Sequence, residues 1–106
     1  MVKRFEIYFI EFDPTKGSEI NKTRPAVIIS PDEMNESLNT VIVAPLTSTL
    51  KNYPSRVNCV VKNKNGQIAL DQIRTIDKLR IKNKLAVLKE KEQDEVFEIL
   101  NEMFKK

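Results

Sequence analysis

Short runs of hydrophobic residues, separated by turn-forming residues, dominate the first 88 positions and predict β-strands. Residues 5–12 place apolar side chains on both faces, so we expect this strand to be buried on both sides. Further strands are predicted over residues 24–30, 40–46, 55–62, 67–70 and 84–88. Residues 71–76 should continue or bend the strand before them, and the Asn65-Gly66 step within residues 62–66 predicts a tight hairpin turn.

The pattern changes to a helical period near the C-terminus. Residues 92–104 repeat apolar side chains at the spacing of one helix face, and 31–37 read as a short helical turn. The apolar stripe of the longer helix consists of Val96, Ile99, Leu100, Met103 and Phe104. Short strands followed by one helix predict a mainly β domain over residues 1–106, in which a small curled antiparallel sheet or barrel packs against a C-terminal helix.

Composition narrows the possible chemistry. The chain has no histidine and one cysteine, which excludes histidine-based catalytic systems, an internal disulfide and a structural zinc site. Any hydrolytic chemistry must then use carboxylates, arginine, hydroxyls or a metal held by carboxylates. Because the sequence offers no plausible metal cluster, we expect no metal and no cofactor. The single cysteine favours a cytoplasmic location, and the N-terminal residues do not form a signal-peptide core. No apolar run is long enough for a membrane span.

Basic residues are concentrated in the body of the chain. Residues 1–89 contain 15 basic and 9 acidic residues, whereas 90–106 contain 3 basic and 6 acidic ones. Five basic residues and one acid lie between Arg74 and Lys84. This distribution fits either a solvated surface or a track for a polyanion such as nucleic acid.

Two polar segments adjoin predicted strands. Residues 13–23 form a turn-rich loop that leads into Arg24, whose backbone is held extended by the following proline. Arg24 either pairs with Glu19 at the surface or serves as a fixed cation for phosphate. Thr47 begins a hydroxyl-rich loop, whose side chains either cap a turn or donate to phosphate oxygens.

Four other side chains have both a structural and a functional interpretation. Asp71 and Gln72 form either a surface pair or a proton acceptor beside a reader of base edges. Phe12 and Tyr53 either pack or stack on unpaired bases. Cys59 alternates with valines on the apolar face of its strand, which indicates a buried structural thiol.

These segments together resemble the MazF/PemK family of toxin endoribonucleases. The matching blocks run from Phe12 to Glu19, Arg24 to Pro31, Val43 to Ser48, Tyr53 to Pro54 and Asp71 to Asp77. The resemblance implies a small SH3-like antiparallel β-barrel with a C-terminal helix, usually a homodimer. It also implies a toxin that cuts single-stranded RNA at short sequences and is neutralised by a cognate MazE-like antitoxin.

The resemblance assigns roles by position. Arg24 matches the catalytic arginine, Thr47 the catalytic hydroxyl residue and Glu19 an acid of the active groove, while Asp71 matches an acid that acts as the base in some members. The expected RNA-binding residues are Phe12, Lys16, Ser18, Asn21, Lys22, Ser48, Thr49, Gln72 and Arg74. Two positions depart from the family: Phe5 stands where glycine is frequent, and Ala69 stands where some members pair an arginine with the acid, so that this arrangement should be incomplete.

The expected reaction is attack of the ribose 2′-hydroxyl on the adjacent phosphorus, which leaves a 2′,3′-cyclic phosphate and a 5′-hydroxyl. Arg24 would stabilise charge on phosphorus, Thr47 would add a hydrogen bond, and either Glu19 or Asp71 would take the proton. Two other functions remain open. A gyrase-poisoning toxin of the same fold would lack a nuclease site, and a non-catalytic barrel would only bind RNA or protein.

Overall fold

The computed structural model describes residues 1–12 and 23–106. Within them, two single 3₁₀ turns, Leu70–Gln72 and Lys78–Arg80, flank the sixth strand. The strands and helices are β1 (Glu6–Glu11), β2 (Thr23–Ile28), α1 (Asp32–Ser37), β3 (Thr40–Thr47), β4 (Arg56–Val61), β5 (Lys64–Ala69), β6 (Arg74–Asp77), β7 (Ile81–Val87) and α2 (Glu90–Phe104).

The strands form one curled antiparallel sheet in the order β4-β5-β3-β2-β1-β7, and β6 also pairs with β3. β3 is central because β2 pairs along one of its edges while β6 and β5 share the other. The predicted mainly β fold with a C-terminal helix is confirmed. Residues 71–76 do bend: the Leu70–Gln72 turn lets the chain leave β5 and return as β6 on β3.

Both faces of the sheet are buried, as the pattern of β1 predicts. Successive residues of β2 alternate between two core clusters: Val27 joins Ile7 and Val96 on one side, while Ile28 joins Ile10 on the other. All five side chains have less than 1% of their surface exposed. Because side chains alternate along a strand, this two-sided core fixes the register of β2 against its neighbours.

Helix α2 covers one of these clusters, but its apolar stripe is only partly buried. Val96 is fully buried, and its burial contributes roughly 1.5–3 kcal/mol. Ile99 and Leu100 pack at the edge of the same cluster. Met103 and Phe104 are 38% and 68% exposed, so the apolar stripe packs on the sheet over its first part and is exposed in the last turn.

The corner of the hairpin between β4 and β5 lies three residues before the predicted Asn65-Gly66 step. Its corner is Lys62-Asn63, whose φ angles of 52° and 64° give the left-handed pair that a two-residue hairpin requires. Gly66 instead lies within β5, opposite Cys59. A β-carbon at Gly66 would meet the carbonyl oxygen of Thr47 at 3.1 Å, so glycine permits the close approach of β5 to β3.

Among the described residues, no helix is both long and apolar enough to cross a membrane.

Candidate active site at the ends of strands β2 and β3

Arg24 and Thr47 are brought together by strand pairing. The β2–β3 register aligns Ala26 with Pro45 and Val27 with Ala44. Continued by two residues, the same register places Arg24 across from Thr47. Both side chains line the same two adjoining cavities, whose volumes are about 530 and 190 Å³. The sequence-predicted catalytic arginine and hydroxyl therefore share one site.

The hydroxyl of Thr47 is oriented by the loop that follows it. Its Oγ1 accepts a hydrogen bond of 3.1 Å from the backbone N–H of Thr49, which leaves the hydroxyl proton available for donation. Strand β5 also approaches the backbone carbonyl of Thr47 closely at Gly66. Thr47 is thus a positioned hydrogen-bond donor at the cavity surface.

The larger cavity has an apolar floor and a polar rim. Phe9, Leu46 and Leu85 contribute to the floor, whereas Ser48 and Thr49 line the cavity beside Arg24 as expected. The β4–β5 hairpin supplies a further wall, which consists of Val61, Lys62, Lys64, Asn65 and Gly66. Residues 62–66 were predicted only as a turn and Val61 only as a strand residue, so none of them was identified as part of the site. The signal available in the sequence was a glycine beside two lysines.

The smaller cavity is lined mainly by polar groups. Gln72 reaches it, as expected for an RNA-binding residue, but Asp71 is not among the residues that line it. The lining residues are Arg24, Pro45, Thr47, Thr49, Lys51, Arg56, Ala69 and Gln72. Lys51 and Arg56 were not identified from the sequence. Among the described residues, three cations line this space, namely Arg24, Lys51 and Arg56.

Asp71 is occupied by an ion pair. Its Oδ1 and Oδ2 accept hydrogen bonds from Arg56 Nε at 2.8 Å and Nη2 at 3.3 Å, and Ser55 Oγ donates to Oδ1 at 2.9 Å. The Arg56 hydrogen bond, assisted by that of Ser55, lowers the pKa of Asp71 in spite of partial burial. Arg56 lies opposite Ala69 in the β4–β5 register. The acid–arginine arrangement expected to be incomplete is therefore completed from the neighbouring strand.

A buried amide anchors the hydroxyl-rich loop. Gln67 Oε1 accepts from the backbone N–H of Lys51, and Gln67 Nε2 donates to the Lys51 carbonyl, both at 3.0 Å. The same Nε2 donates to Asn58 Oδ1 at 3.0 Å, and Gln67 is only 6% exposed. The loop that carries Ser48 and Thr49 is therefore fixed at both its strand end and its middle.

Phe12 and Arg74, both predicted to bind RNA, contact each other within the protein. Phe12 is 7% exposed in the core, and the guanidinium carbon of Arg74 lies 5.3 Å from the centre of its ring. The burial leaves little ring surface for a base to stack on. Arg74 is exposed, but it lines neither cavity.

The basic run from Arg74 to Lys84 is largely engaged within the molecule. Lys84 pairs with Glu6 at 2.7 Å, and Lys82 lies 3.9 Å from the carboxylate of Glu11. Arg80 Nη1 donates to the Glu11 carbonyl at 3.2 Å. Lys78 Nζ donates to the carbonyl of Asn35. These contacts favour the structural interpretation of the run over a phosphate track.

The remaining candidates divide by location. Cys59 is 3% exposed, and burial, with a smaller effect of Glu92, raises the pKa of its thiol to about 12. It is a structural residue, as expected. Within residues 1–12 and 23–106, no three His, Cys, Asp or Glu side chains cluster so as to hold a metal ion. The predicted site residues outside the described ranges are Lys16, Ser18, Glu19, Asn21 and Lys22.

Comparisons with known proteins agree with this arrangement. The family model of the PemK-like, MazF-like toxin of type II toxin–antitoxin systems matches residues 3–104. The endoribonuclease MazF of Staphylococcus epidermidis is 39% identical over 102 residues, which cover 91% of this chain and 85% of that protein. A structure of MazE–MazF from Deinococcus radiodurans matches with a TM-score of 0.81 at 26% identity, over 96% of this chain and 94% of the matched one. The toxin MazF-mt6 of Mycobacterium tuberculosis shares the fold, with a TM-score of 0.78 at 20% identity over 93% and 95% of the two chains. The chain belongs to the PemK/MazF-like family of type II toxins.

Proposed function

We propose that this protein is a toxin endoribonuclease that cleaves single-stranded RNA at selected sequences without a metal ion. The observation that carries the proposal is the convergence of Arg24 and Thr47 on shared cavities at the paired ends of β2 and β3. The 39% identity to a protein named endoribonuclease MazF supports the same activity. We also propose a cytoplasmic location, where single-stranded RNA is available as a substrate.

In the proposed reaction, a carboxylate removes the proton of the 2′-hydroxyl, whose oxygen attacks phosphorus as the bond to the 5′ oxygen breaks. Arg24 stabilises the charge that develops on the phosphoryl oxygens, and the Thr47 hydroxyl donates a hydrogen bond to one of them. Of the two candidate carboxylates, Asp71 is the less suitable base. A general base works best with a pKa near the working pH, whereas the Arg56 ion pair lowers the pKa of Asp71.

The proposed RNA path follows the two cavities. Ser48 and Thr49 line it on one side, and Lys62 and Lys64 of the β4–β5 hairpin line it on the other. We further propose that the protein acts as a homodimer and is neutralised by a MazE-like antitoxin, as the family description and the MazE–MazF complex suggest. β3 already pairs along both edges, so a dimer contact there would involve side chains and loops.

The reaction type is tested by incubating the purified protein with a long single-stranded RNA in excess EDTA and analysing the ends. We expect cleavage with a 2′,3′-cyclic phosphate and a 5′-hydroxyl. Products with a 5′-phosphate, or strict dependence on Mg²⁺, would overturn the mechanism. Intact RNA combined with inhibition of gyrase would identify the gyrase-poisoning alternative, and intact RNA with tight binding would identify the non-catalytic one.

The roles of the two site residues are tested by single-turnover cleavage. Arg24→Ala should slow the reaction by about 100-fold or more, since removing one oxyanion donor has an effect of this size. Arg24→Lys should restore little, because an ammonium group cannot reproduce the planar guanidinium. Thr47→Val should slow cleavage while RNA affinity changes little. Lys105→Ala, which removes a surface cation on α2 that pairs with Glu102, is the charge-matched control and should cleave at the wild-type rate.

A further inference from the structure

Arg56 is a nearly buried cation that has no part in the reaction proposed above. Its side chain is 7% exposed, although it lines the smaller cavity. Asp71 holds one edge of the guanidinium through contacts of 2.8 and 3.3 Å, and the Tyr53 ring lies over it with its centre 5.1 Å from the guanidinium carbon. The group is therefore fixed at one edge and one face.

The fixed guanidinium retains hydrogen-bonding capacity. Arginine carries five N–H donors, and Asp71 accepts two of them. Among the residues that the structure describes, no other group accepts from the Arg56 side chain, so three donors are not used by these residues. The cavity beside it has a volume of about 190 Å³, which exceeds a single phosphate group and suits a nucleobase or a sugar with its phosphate.

The charge of the cavity favours a ligand with acceptor groups. Arg24 and Lys51 line it together with Arg56, and the carboxylate that pairs with Arg56 lies outside the lining. Gln72 adds an amide that can both donate and accept. Because Arg24 and Thr47 also line the larger cavity, a nucleotide bound in the smaller one would adjoin the reacting phosphate.

We propose that the smaller cavity is a second RNA subsite, in which Arg56 donates to an acceptor of the nucleotide next to the scissile bond and Asp71 positions Arg56. The acceptor is either a phosphate oxygen or a base edge, both of which suit the donor pair of a guanidinium. The inference rests on the proposed RNA cleavage. It gives Asp71 a role through Arg56 and leaves proton abstraction to Glu19.

Binding tests the subsite directly. The probe is an RNA oligonucleotide that contains the wild-type cut site, made uncleavable by a 2′-deoxy substitution there. Arg56→Ala should raise its Kd by about tenfold or more, within the range for loss of a bidentate contact. Arg56→Lys should keep a positive charge near Asp71 and a folded protein, but it should recover little affinity because an ammonium group lacks the planar fork that can contact Asp71 and the nucleotide along separate edges. Lys105→Ala controls for net charge and for loss of an ion pair.

The pattern across sequences identifies the acceptor. Uniformly weaker binding of all RNAs, with a smaller salt dependence, indicates a phosphate contact. Relaxed preference at one position of the cut site indicates a base contact. A Kd equal to that of the wild type in Arg56→Ala or Arg56→Lys would overturn the subsite. Wild-type protein that cleaves no RNA would overturn the proposed function, so the two failures are distinguishable.

The role of Asp71 is tested by a double-mutant cycle. If Asp71 acts only through Arg56, Arg56→Ala combined with Asp71→Asn should bind RNA no more weakly than Arg56→Ala alone. Asp71→Asn should also keep the acidic limb of the pH–rate profile in single-turnover cleavage. Loss of that limb would show that Asp71 is the base. A cleavage defect in Asp71→Asn that adds fully to that of Arg56→Ala would show that Asp71 acts independently of Arg56, and either result would contradict the proposal.

Discussion

At Phe5, the backbone φ of 71° places a bulky residue in a region that favours glycine. The position is fixed from both sides: the Phe5 N–H donates to Ile28 at 2.7 Å, and the Phe5 carbonyl accepts from Leu88 at 3.0 Å. The frequent glycine at this position in the family resemblance now has a physical reason. Burial of the ring, which meets Phe97 edge-on with 5.2 Å between centres, offsets the strain.

Substitutions at Phe5 should therefore show an unusual order of stability. Phe5→Ala and Phe5→Gly both lose the buried ring, at a cost of about 3–5 kcal/mol. Phe5→Gly should nevertheless be about 1 kcal/mol more stable than Phe5→Ala, because glycine has no β-carbon to strain at positive φ. Urea unfolding measures the difference. At Ile7, a buried strand residue without positive φ, glycine should instead be worse than alanine; the same order at both positions would refute the explanation.

Glu6 is a second residue with unusual surroundings, because its carboxylate is held by hydrogen bonds from three other residues. Burial disfavours the charged form of Glu6 and so raises its pKa. Hydrogen bonds from Lys84, from the Lys3 backbone and from Tyr8 outweigh that effect, and the net result is a lowered pKa. The Tyr8 hydroxyl donates to Glu6 Oε1 at 2.9 Å. Burial, together with this hydrogen bond, raises the pKa of Tyr8 to about 12.

Acid unfolding should report the Glu6 contacts. A carboxyl whose folded pKa is depressed stabilises the protein above its unfolded pKa of 4.5, and this contribution disappears as the pH falls through the folded pKa. Glu6→Gln should consequently be less stable at pH 7 and lose less stability between pH 5 and pH 3. Thermal melting across that range measures both effects. A slope in Glu6→Gln equal to that of the wild type would exclude Glu6 as a source of the pH dependence.

At the scale of the elements, the hydrophobic periodicity of the sequence predicted most of the strands and the long helix. The strands β1 to β4 and the helix α2 were predicted within a few residues, because their patterns reflect burial on sheet faces or one helix face. The corner of the β4–β5 turn was misplaced, because glycine is needed at position 66 for the close approach of β5 to the Thr47 carbonyl on β3 and not for the turn. β6 was not separated from β5, because its pairing with β3 joins residues far apart in sequence.

The site follows the same division. Arg24 and Thr47 were identified from the resemblance, and the strand register explains why they meet. Arg56, Lys62 and Lys64 were not identified as site residues. Their position beside the site depends on the β4–β5 pairing and on the location of its turn. Phe12 and the basic run kept both a structural and a functional interpretation, because a sequence shows neither which rings are buried nor which charges are paired inside the molecule.

The loop between β3 and β4 has no regular secondary structure and is held in place by the Gln67 side chain. Gln67→Leu keeps the side-chain volume but removes both hydrogen bonds to Lys51 and the one to Asn58. The change should cost about 1–3 kcal/mol of stability and speed amide exchange in residues 48–54. Cleavage should slow, because Ser48 and Thr49 lose their fixed position.

A matched control is available in Gln93, whose Nε2 donates to the Leu88 carbonyl at 2.9 Å at the start of α2. Gln93→Leu should destabilise the protein without changing exchange in residues 48–54 or the rate of cleavage at a temperature where it is folded. Equal cleavage rates in the two variants would show that Gln67 acts on overall stability alone.

Across the whole molecule, basic residues fall into two groups with different surroundings. Lys82 and Lys84 on β7 lie beside Glu11 and Glu6, so their charges are largely balanced by neighbouring carboxylates. Lys62 and Lys64 on the β4–β5 hairpin are exposed and line the larger cavity with Arg24. Sequence alone gives all four the same charge, and the structure separates them by what each faces.

Two double variants test this difference. Each lowers the formal net charge from +3 to +1, so any difference between them reflects the position of the lysines and not the net charge. Lys62→Ala with Lys64→Ala should weaken binding of uncleavable RNA and reduce the magnitude of the slope of log K against log salt by about 1.4, since each phosphate contact on a single strand contributes about 0.7. Lys82→Ala with Lys84→Ala should bind RNA with nearly the wild-type slope but unfold at a lower temperature, since Glu6 loses an ion-pair partner. Titrations at several salt concentrations, together with thermal melts, measure both. Equal losses of affinity and slope in the two variants would show that RNA responds to net charge alone, and that the hairpin is not part of its path.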